Sequence, residues 1–597
     1  MDEALATLVH EGAEIESWFR IKIEGQGYLL WYMRAESMKK VFEVSQTFNH
    51  PIAFLVLGAL PLHCLGDPIL EHNMAEMAHT SSALAPAVLG SVSFQTSCKP
   101  QVKEEFNRAV ALLHSFWLDE AERTFKAVAK RDPSCAMAQW GVAMTNFNQV
   151  NGGPTSAGVA AANQALAKAD VAREKDAREA AYINALHSFF DGYAEKDFQS
   201  YAERYAGAMS QVAAAYPNDL EAQVFYALAL INSEPRDDVA LANKKKAVAI
   251  LYPLFRAHPN HPGIAHYIIH ACDNPGMAQE GIEAAVRYAA IAPAAPHALH
   301  MPSHIFMRLG LWQDDIRSNL ASKSASEDPA VHVGAEARLH AMEFLEYAYL
   351  QSGQVSQAAA IVAEAQTVKE SDVDPRFPHY YSIVEALYPA LFAIETQDWG
   401  TAAKLKLEGP NWFTQAQALL AHAVAAGHLH DAKSGKAATE AIEASVAPYP
   451  KLQAGSSYAT LPDEIRAWAR YAQGDLKGAI ALLEPVADRQ DKLGEGGIEV
   501  PAREMLADML LLNGQFAEAL HEYQGVLASD PNRFNALLAA GRAAEELGER
   551  DVAANYYRTL LANCTSASGK ALEALRHARS VVNEMAPASG NASGTSN

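Results

Sequence analysis

The stretches ADMLLLNGQFAEALHEY (507–523) and GRAAEELGERDVAANYY (541–557) decide the fold. Ala507, Gly514, Ala519 and Tyr523 return one period later, 34 residues on, as Gly541, Gly548, Ala553 and Tyr557. Small residues at 507/541 and 519/553 let two helices approach, the glycine at 514/548 suits a tight turn, and the tyrosine plugs the hairpin. Asp530-Pro531 then ends the unit, because proline cannot continue a helix and restricts its predecessor. Apolar residues at helical spacing fill nearly everything between such units, and strand signals are almost absent. The fold class is therefore all-α, an α-solenoid in which each repeat buries its face on its neighbours.

The shape-determining positions of these units resemble the tetratricopeptide consensus, whose repeat is a 34-residue helix–turn–helix forming a right-handed superhelix. With the turn glycine at position 15, units fall at about 262–295 (Gly276), 296–329 (Gly310), 339–372 (Gly353), 413–446 (Gly427) and 460–493 (Gly474). A further unit at 102–135 carries Ala121, Phe125 and Asp132-Pro133 in register. Stretches 150–260 and 373–412 are helical but out of register. The resulting organisation is a solenoid over 100–372, further repeats over 373–585, and a small polar tail, 586–597.

A formal net charge of −22 excludes an ordinary nucleic-acid binder, since a phosphate backbone would be repelled. No apolar run reaches 18 residues, so a stable membrane span is not expected. Ile52–Leu65 (IAFLVLGALPLHCL) has the length of a signal h-region and follows Met38-Lys39-Lys40. Residues 1–37 then read as an over-extended start and 38–95 as a leader and linker. The protein is exported or periplasmic if 38–65 is a signal peptide, and cytoplasmic otherwise. Five scattered cysteines without a CxxC pair predict neither a disulfide framework nor a thiolate zinc site.

Nine of the 22 histidines lie between His258 and His340, and His266 and His270 recur 34 residues later as His300 and His304. The tetratricopeptide resemblance implies that positions 2, 5, 9 and 12 of each first helix face the concave groove. His266, His270 and Asp273 then fall at 5, 9 and 12, His297, His300 and His304 at 2, 5 and 9, and His340 and Glu343 at 2 and 5. Imidazoles four apart on one helix, and on helices about 8–10 Å apart, can converge on one ion. The expected ligands are His266, His270, His300 and His304, followed by His297, His340 and Glu343. Imidazole suits zinc, copper or iron. Asp273 and Glu343 are candidates for a general base, or for acceptors that fix a histidine tautomer.

Pro302, between His300 and His304, predicts either a kink or a helix that begins there. His258, His261, His428 and His430 read as solvated surface, and Cys272 as core. The run HPGIAHYIIHACDNP (261–275), followed by IAPAAPHALHMPSHIFMRLGLW (291–312), resembles a large group of bacterial tetratricopeptide-repeat proteins. So do FWLDEAERTFKAVAKRDPSCAMAQWGVAM (116–144) and RLHAMEFLEYAYLQSG (338–353). That resemblance covers roughly 100–360 and implies the fold and the weight of the motif block, but no particular reaction. Two functions follow. One is a metalloprotein, as an enzyme or a store; the other is a scaffold holding a peptide, protein or small-molecule ligand in its groove.

Overall fold

The computed structural model describes residues 13–23, 26–35 and 88–585, apart from 148–152, 174, 195–196, 236, 329–330, 332, 374–378, 408–411, 449–459 and 495–496. The chain divides into two compact units, Met1–Glu71 and His72–Asn597. In the first, strands β1 (Ala13–Ile23) and β2 (Gln26–Ala35) pair antiparallel, with a register shift between Ile15 and Ser17. Phe19, Ile21 and Ile23 alternate there with Arg20 and Lys22, a period-2 pattern that the helical reading passed over. The leader-like segment 38–65 and the tail 586–597 lie outside the described residues.

The second unit is a succession of antiparallel helix pairs. It begins with α1 (Lys103–His114), α2 (Leu118–Arg131), α3 (Ala136–Thr145), α4 (Ser156–Val171), α5 (Ala177–Phe190), α6 (Phe198–Ala215), α7 (Leu220–Asn232) and α8 (Ala242–Ala257). The central helices are α9 (Pro262–Cys272), α10 (Ala278–Ile291), α11 (Pro296–His300), α12 (Pro302–Arg308), α13 (Trp312–Ser326), α14 (Ala335–Gln351) and α15 (Val355–Ala365). Then come α16 (His379–Glu395), α17 (Trp399–Ala402), α18 (Trp412–His428), α19 (Ala432–Val446), α20 (Leu461–Ala472) and α21 (Leu476–Leu493). The C-terminal repeats are α22 (Ala502–Leu512), α23 (Phe516–Ser529), α24 (Phe534–Glu546), α25 (Arg550–Asn563) and α26 (Ala571–Glu584). This is the α-solenoid that the repeats predict.

Two details of the repeat chemistry are visible. The turn glycines Gly310, Gly353, Gly474, Gly514 and Gly548 have φ of 65°, 71°, 83°, 75° and 76°, where a side chain would be strained. A Cβ on Gly541 would lie 2.3 Å from the Tyr557 ring, so the small residue and the plug require each other. The register departs from expectation twice. Gly276 is not left-handed, and Gly427 lies inside α18 against Trp468, the turn being made at His430 with φ 52°. In the first repeat the turn position is held not by glycine but by Phe116, with φ 51°.

Successive superhelical turns touch edge to edge. Asn274 Nδ2 donates to the carbonyl of Leu493 at 3.3 Å, 219 residues away. Asn532 Nδ2 donates to the carbonyl of Gly310 at 3.2 Å, 222 residues away, and Trp312 Nε1 to that of Asn532 at 2.9 Å. Ser568 N donates to the carbonyl of Gly353 at 2.9 Å. Three consecutive turns of the central repeats thus rest on three consecutive connections of the C-terminal ones, so one superhelical turn takes roughly six and a half 34-residue repeats. Arg533, fully buried, clamps the seam. It binds Glu504 through two donors at 2.6 and 2.8 Å, Glu395 at 2.7 Å and Tyr347 Oη at 2.6 Å.

Two of the cysteines depart from expectation, because Cys98 and Cys135 form a disulfide. It ties the extended segment before α1 to the start of α3. Cys272 is buried, as core, and Cys564 is buried too. His428 is also not surface: its ring stacks 3.9 Å from Trp399 and 5.2 Å from Trp468. Burial, with His430 adding, pushes its pKa down to about 4. The unfolded chain therefore takes up this proton first, and stability is lost as pH falls from about 6.5 towards 4. Relative to His428→Phe, the wild-type unfolding free energy should drop by about 2–3 kcal/mol over that range. Denaturant titrations of both proteins at pH 7 and pH 4.5 measure the difference.

Candidate metal centre

Among the described residues, four groups of side chains bring three metal-competent atoms within 4.8 Å of one another. One, Cys98–Asp132–Cys135, is accounted for by the disulfide. A second, His114–Glu221–His261, is almost fully buried and saturated by its own hydrogen bonds. His114 Nε2 and His261 Nε2 donate to Glu221 at 2.8 and 3.0 Å. The remaining nitrogens are acceptors: His114 Nδ1 takes the Tyr267 hydroxyl at 2.8 Å, and His261 Nδ1 takes the Ile264 amide at 3.3 Å. Every proton has a partner, and the group carries one negative charge. Burial raises the carboxyl of Glu221, but the two imidazoles outweigh it and hold the pKa far below the usual range. His261, expected on the surface, is instead the buried N-cap of α9.

The other two groups are different. They are His266–His270–His297 and His300–His304–His340. Each takes positions 5 and 9 of one repeat and position 2 of the next, so a single expected cluster is split into two related triads. Within the first, His266 Nε2 lies 3.0 Å from His270 Nε2 and 3.1 Å from His297 Nε2. In the second, His300 Nε2 lies 3.0 Å from His304 Nε2. Ligand nitrogens around a tetrahedral zinc would stand about 3.3 Å apart.

The opposite edges of these rings fix the tautomers. His266 Nδ1 donates to the carbonyl of His114 at 2.6 Å. His300 Nδ1 donates to Asn319 Oδ1 at 2.6 Å, and Asn319 Nδ2 is spent on Asp315. His304 Nδ1 donates to Asp273 Oδ2 at 2.9 Å, and His340 Nδ1 to Glu343 Oε2 at 3.3 Å. A neutral imidazole whose Nδ1 carries the proton has only a lone pair at Nε2. His300, with its Nδ1 proton on Asn319, therefore turns an Nε2 lone pair towards His304 Nε2. Burial first, then mutual repulsion, drives the imidazoles of His266, His270, His297 and His300 well below their ordinary pKa.

Asp273 and Glu343 thus stand behind the rings, on the Nδ1 side. Asp273 also binds Arg308 Nε at 2.8 Å, and this guanidinium with His304 more than offsets burial, holding the carboxyl far below its usual range. Pro302 begins a new helix, the second of the two outcomes expected for it. α11 stops at His300, α12 starts at Pro302, and Met301 between them keeps helical angles. Carbonyls on α11 are taken by serines, Ser322 Oγ donating to Pro296 at 2.8 Å and Ser303 Oγ to His300 at 2.7 Å.

Sequence reasoning missed the groups around the rings. Phe116 lies 4.4, 5.5 and 5.6 Å from the rings of His266, His270 and His297. Phe344 lies 4.7, 4.7 and 5.4 Å from those of His300, His304 and His340. A phenylalanine at a turn-glycine position was the available signal, since left-handed strain in a bulky residue collects where it serves a site. The triads adjoin, with ring centres 6.3 Å apart for His270 and His304 and 6.0 Å for His297 and His300.

Residues 1–53 match the model of a family of unknown function (DUF6176). No curated protein matches the chain. Solved structures similar to it include the TPR domain of P58(IPK), 13% identical, covering 81% of this chain and 99% of that one, with a TM-score of 0.19. A monomeric mutant of IFIT1 with Gppp-AAAA is 12% identical over 71% of this chain and 90% of that one, TM-score 0.32. The human IFIT1 dimer with m7Gppp-AAAA is 12% identical over 71% and 89%, TM-score 0.32.

The saturated group gives a test of the proton assignment. Glu221→Gln replaces one of two buried acceptors with a donor that opposes an imidazole N–H. It should cost about 2–4 kcal/mol in denaturant unfolding while far-UV dichroism at low denaturant stays unchanged. An unchanged midpoint would refute the assignment.

Proposed function

We propose that the protein is a helical-repeat solenoid carrying a transition-metal centre on His266, His270, His297, His300, His304 and His340. The observation that carries the reading is the approach of His300 Nε2 and His304 Nε2 to 3.0 Å, each ring with its Nδ1 committed to oxygen. One shared proton could join two such nitrogens; three converging imidazoles are satisfied together by a cation. His266, His270, His297 and His300, kept neutral by burial, need not lose a proton to bind it. Asn319, Asp273, Glu343 and the His114 carbonyl would orient the rings from behind, as partners of metal-bound histidines do. The carboxylates serve the site as acceptors in this reading.

The side chains of His304 and His340 keep 15% and 24% of their surface exposed, so water or a small ligand can reach that triad. A peptide or protein partner in the groove is the second reading, and it rests on the repeat scaffold alone. The Cys98–Cys135 disulfide favours an oxidising compartment, in line with export through 38–65. Edman sequencing of protein from its native host should begin beyond residue 65; a start at Met1 would sink that assignment.

Elemental analysis of protein purified without a histidine tag should find stoichiometric transition metal. His266→Ala/His300→Ala should lose nearly all of it while keeping its helical dichroism. If neither protein holds metal after anaerobic reconstitution with zinc, iron and copper, the metal reading fails.

A further inference from the structure

The repeat relation between the triads implies more than one ion. We propose that each triad takes its own ion, so that the centre is a pair, and that the metal is copper, entering as Cu(I). The inference rests on the metal reading above and deepens it. Each triad is complete by the same rule, positions 5 and 9 of one first helix and position 2 of the next. Each has an Nε2 pair at 3.0 Å, in His266/His270 and in His300/His304. Each is covered by its own phenyl ring, Phe116 or Phe344. A single ion shared by six imidazoles would have to draw together rings that are held apart. His266 is anchored to the α1 carbonyl at His114, and His300 to Asn319 on α13. Both anchors are buried.

The donor set selects the metal. All six donors are imidazole nitrogens, and the nearby carboxylates sit behind the rings. Hard ions such as magnesium, calcium and manganese need oxygen ligands, whereas imidazole suits zinc, copper, iron and nickel. Charge narrows the choice again. Asp273 is already neutralised by Arg308, which leaves Glu343 as the carboxylate behind the second triad. Two divalent ions would place four positive charges among six imidazoles, two of them buried. Two Cu(I) ions halve that, and burying uncompensated charge is what costs most.

The test counts ions in the tag-free full-length protein, stripped with chelator and titrated anaerobically with Cu(I) against bicinchoninate. Wild type should retain two equivalents, His297→Asn one, His340→Asn one, and the double variant none, with melting curves showing that each is folded. His270→Asn and His304→Asn, also half-buried, should repeat the one-equivalent result if either first variant unfolds. One equivalent in wild type, lost in both single variants, would overturn the pair but leave the metal reading standing. No retained metal of any kind overturns both. Two equivalents of zinc that equimolar Cu(I) fails to displace overturn the copper assignment.

Discussion

The constraint on which the molecule depends is the constant step from one first helix to the next. A 34-residue unit cannot bury its apolar face alone, so each unit stacks on its neighbour at nearly the same rotation. Equivalent positions are then carried along the superhelix in line. His266 and His300 are equivalent, as are His270 and His304, and the triads repeat because the step repeats. The same step returns the chain beside itself after about 220 residues, which is why Asn274, Gly310 and Gly353 meet Leu493, Asn532 and Ser568. Arg533 holds that seam. Its guanidinium is fully buried between Glu395 and Glu504, an arrangement in which losing one partner is costly and the pairing enforces register more than it adds stability.

The step also explains why there are two groups of histidine and not one. The position-2 imidazole of the following repeat reaches the buried member of the 5/9 pair, with ring centres 4.9 Å apart for His266 and His297 and 4.3 Å for His300 and His340. Each pair is therefore completed by its neighbour's first turn. Phe116 shows how strongly the first triad shapes its surroundings. At the position where five other repeats use glycine, this one holds a phenylalanine at φ 51°. Such a conformation costs of order 1–3 kcal/mol and persists only where packing demands it. Here the packing is against three imidazoles.

Much of this was legible in the residues, and the exceptions have physical causes. The glycine and tyrosine spacing of 507–557 reads directly as a solenoid, because the close approach of Gly541 and Tyr557 is a local requirement. The histidines read as a groove cluster for the same reason. What periodicity could not convey was which neighbour completes each triad, since that depends on the rotation between repeats. Nor could it separate Gly427, packed in α18 against Trp468, from a turn glycine three residues away. His428 and His261 looked solvated because they flank turns, yet tryptophans enclose one and Glu221 pairs the other. The Cys98–Cys135 disulfide lacks a short motif, as its partners are 37 residues apart and meet only through the fold. The hairpin of residues 13–35 was passed over because its alternation is brief within a chain otherwise helical in period.

The placement of charge around the triads follows one pattern. Inside are imidazole nitrogens; one ring further out are anions or carbonyl dipoles. Asp273 and Glu343 receive the Nδ1 protons of His304 and His340, and Glu221 lies behind His114, whose carbonyl receives that of His266. A carboxylate in that outer place polarises the imidazole and makes its far nitrogen a better donor without occupying a coordination position. It also supplies negative charge at a distance where its own desolvation is already met by Arg308 or by two imidazole N–H groups. A carboxylate moved inward would lose those partners and add an anionic ligand to sites built from equivalent imidazoles. The arrangement therefore separates the two jobs, with donors supplied by histidine and charge supplied from behind.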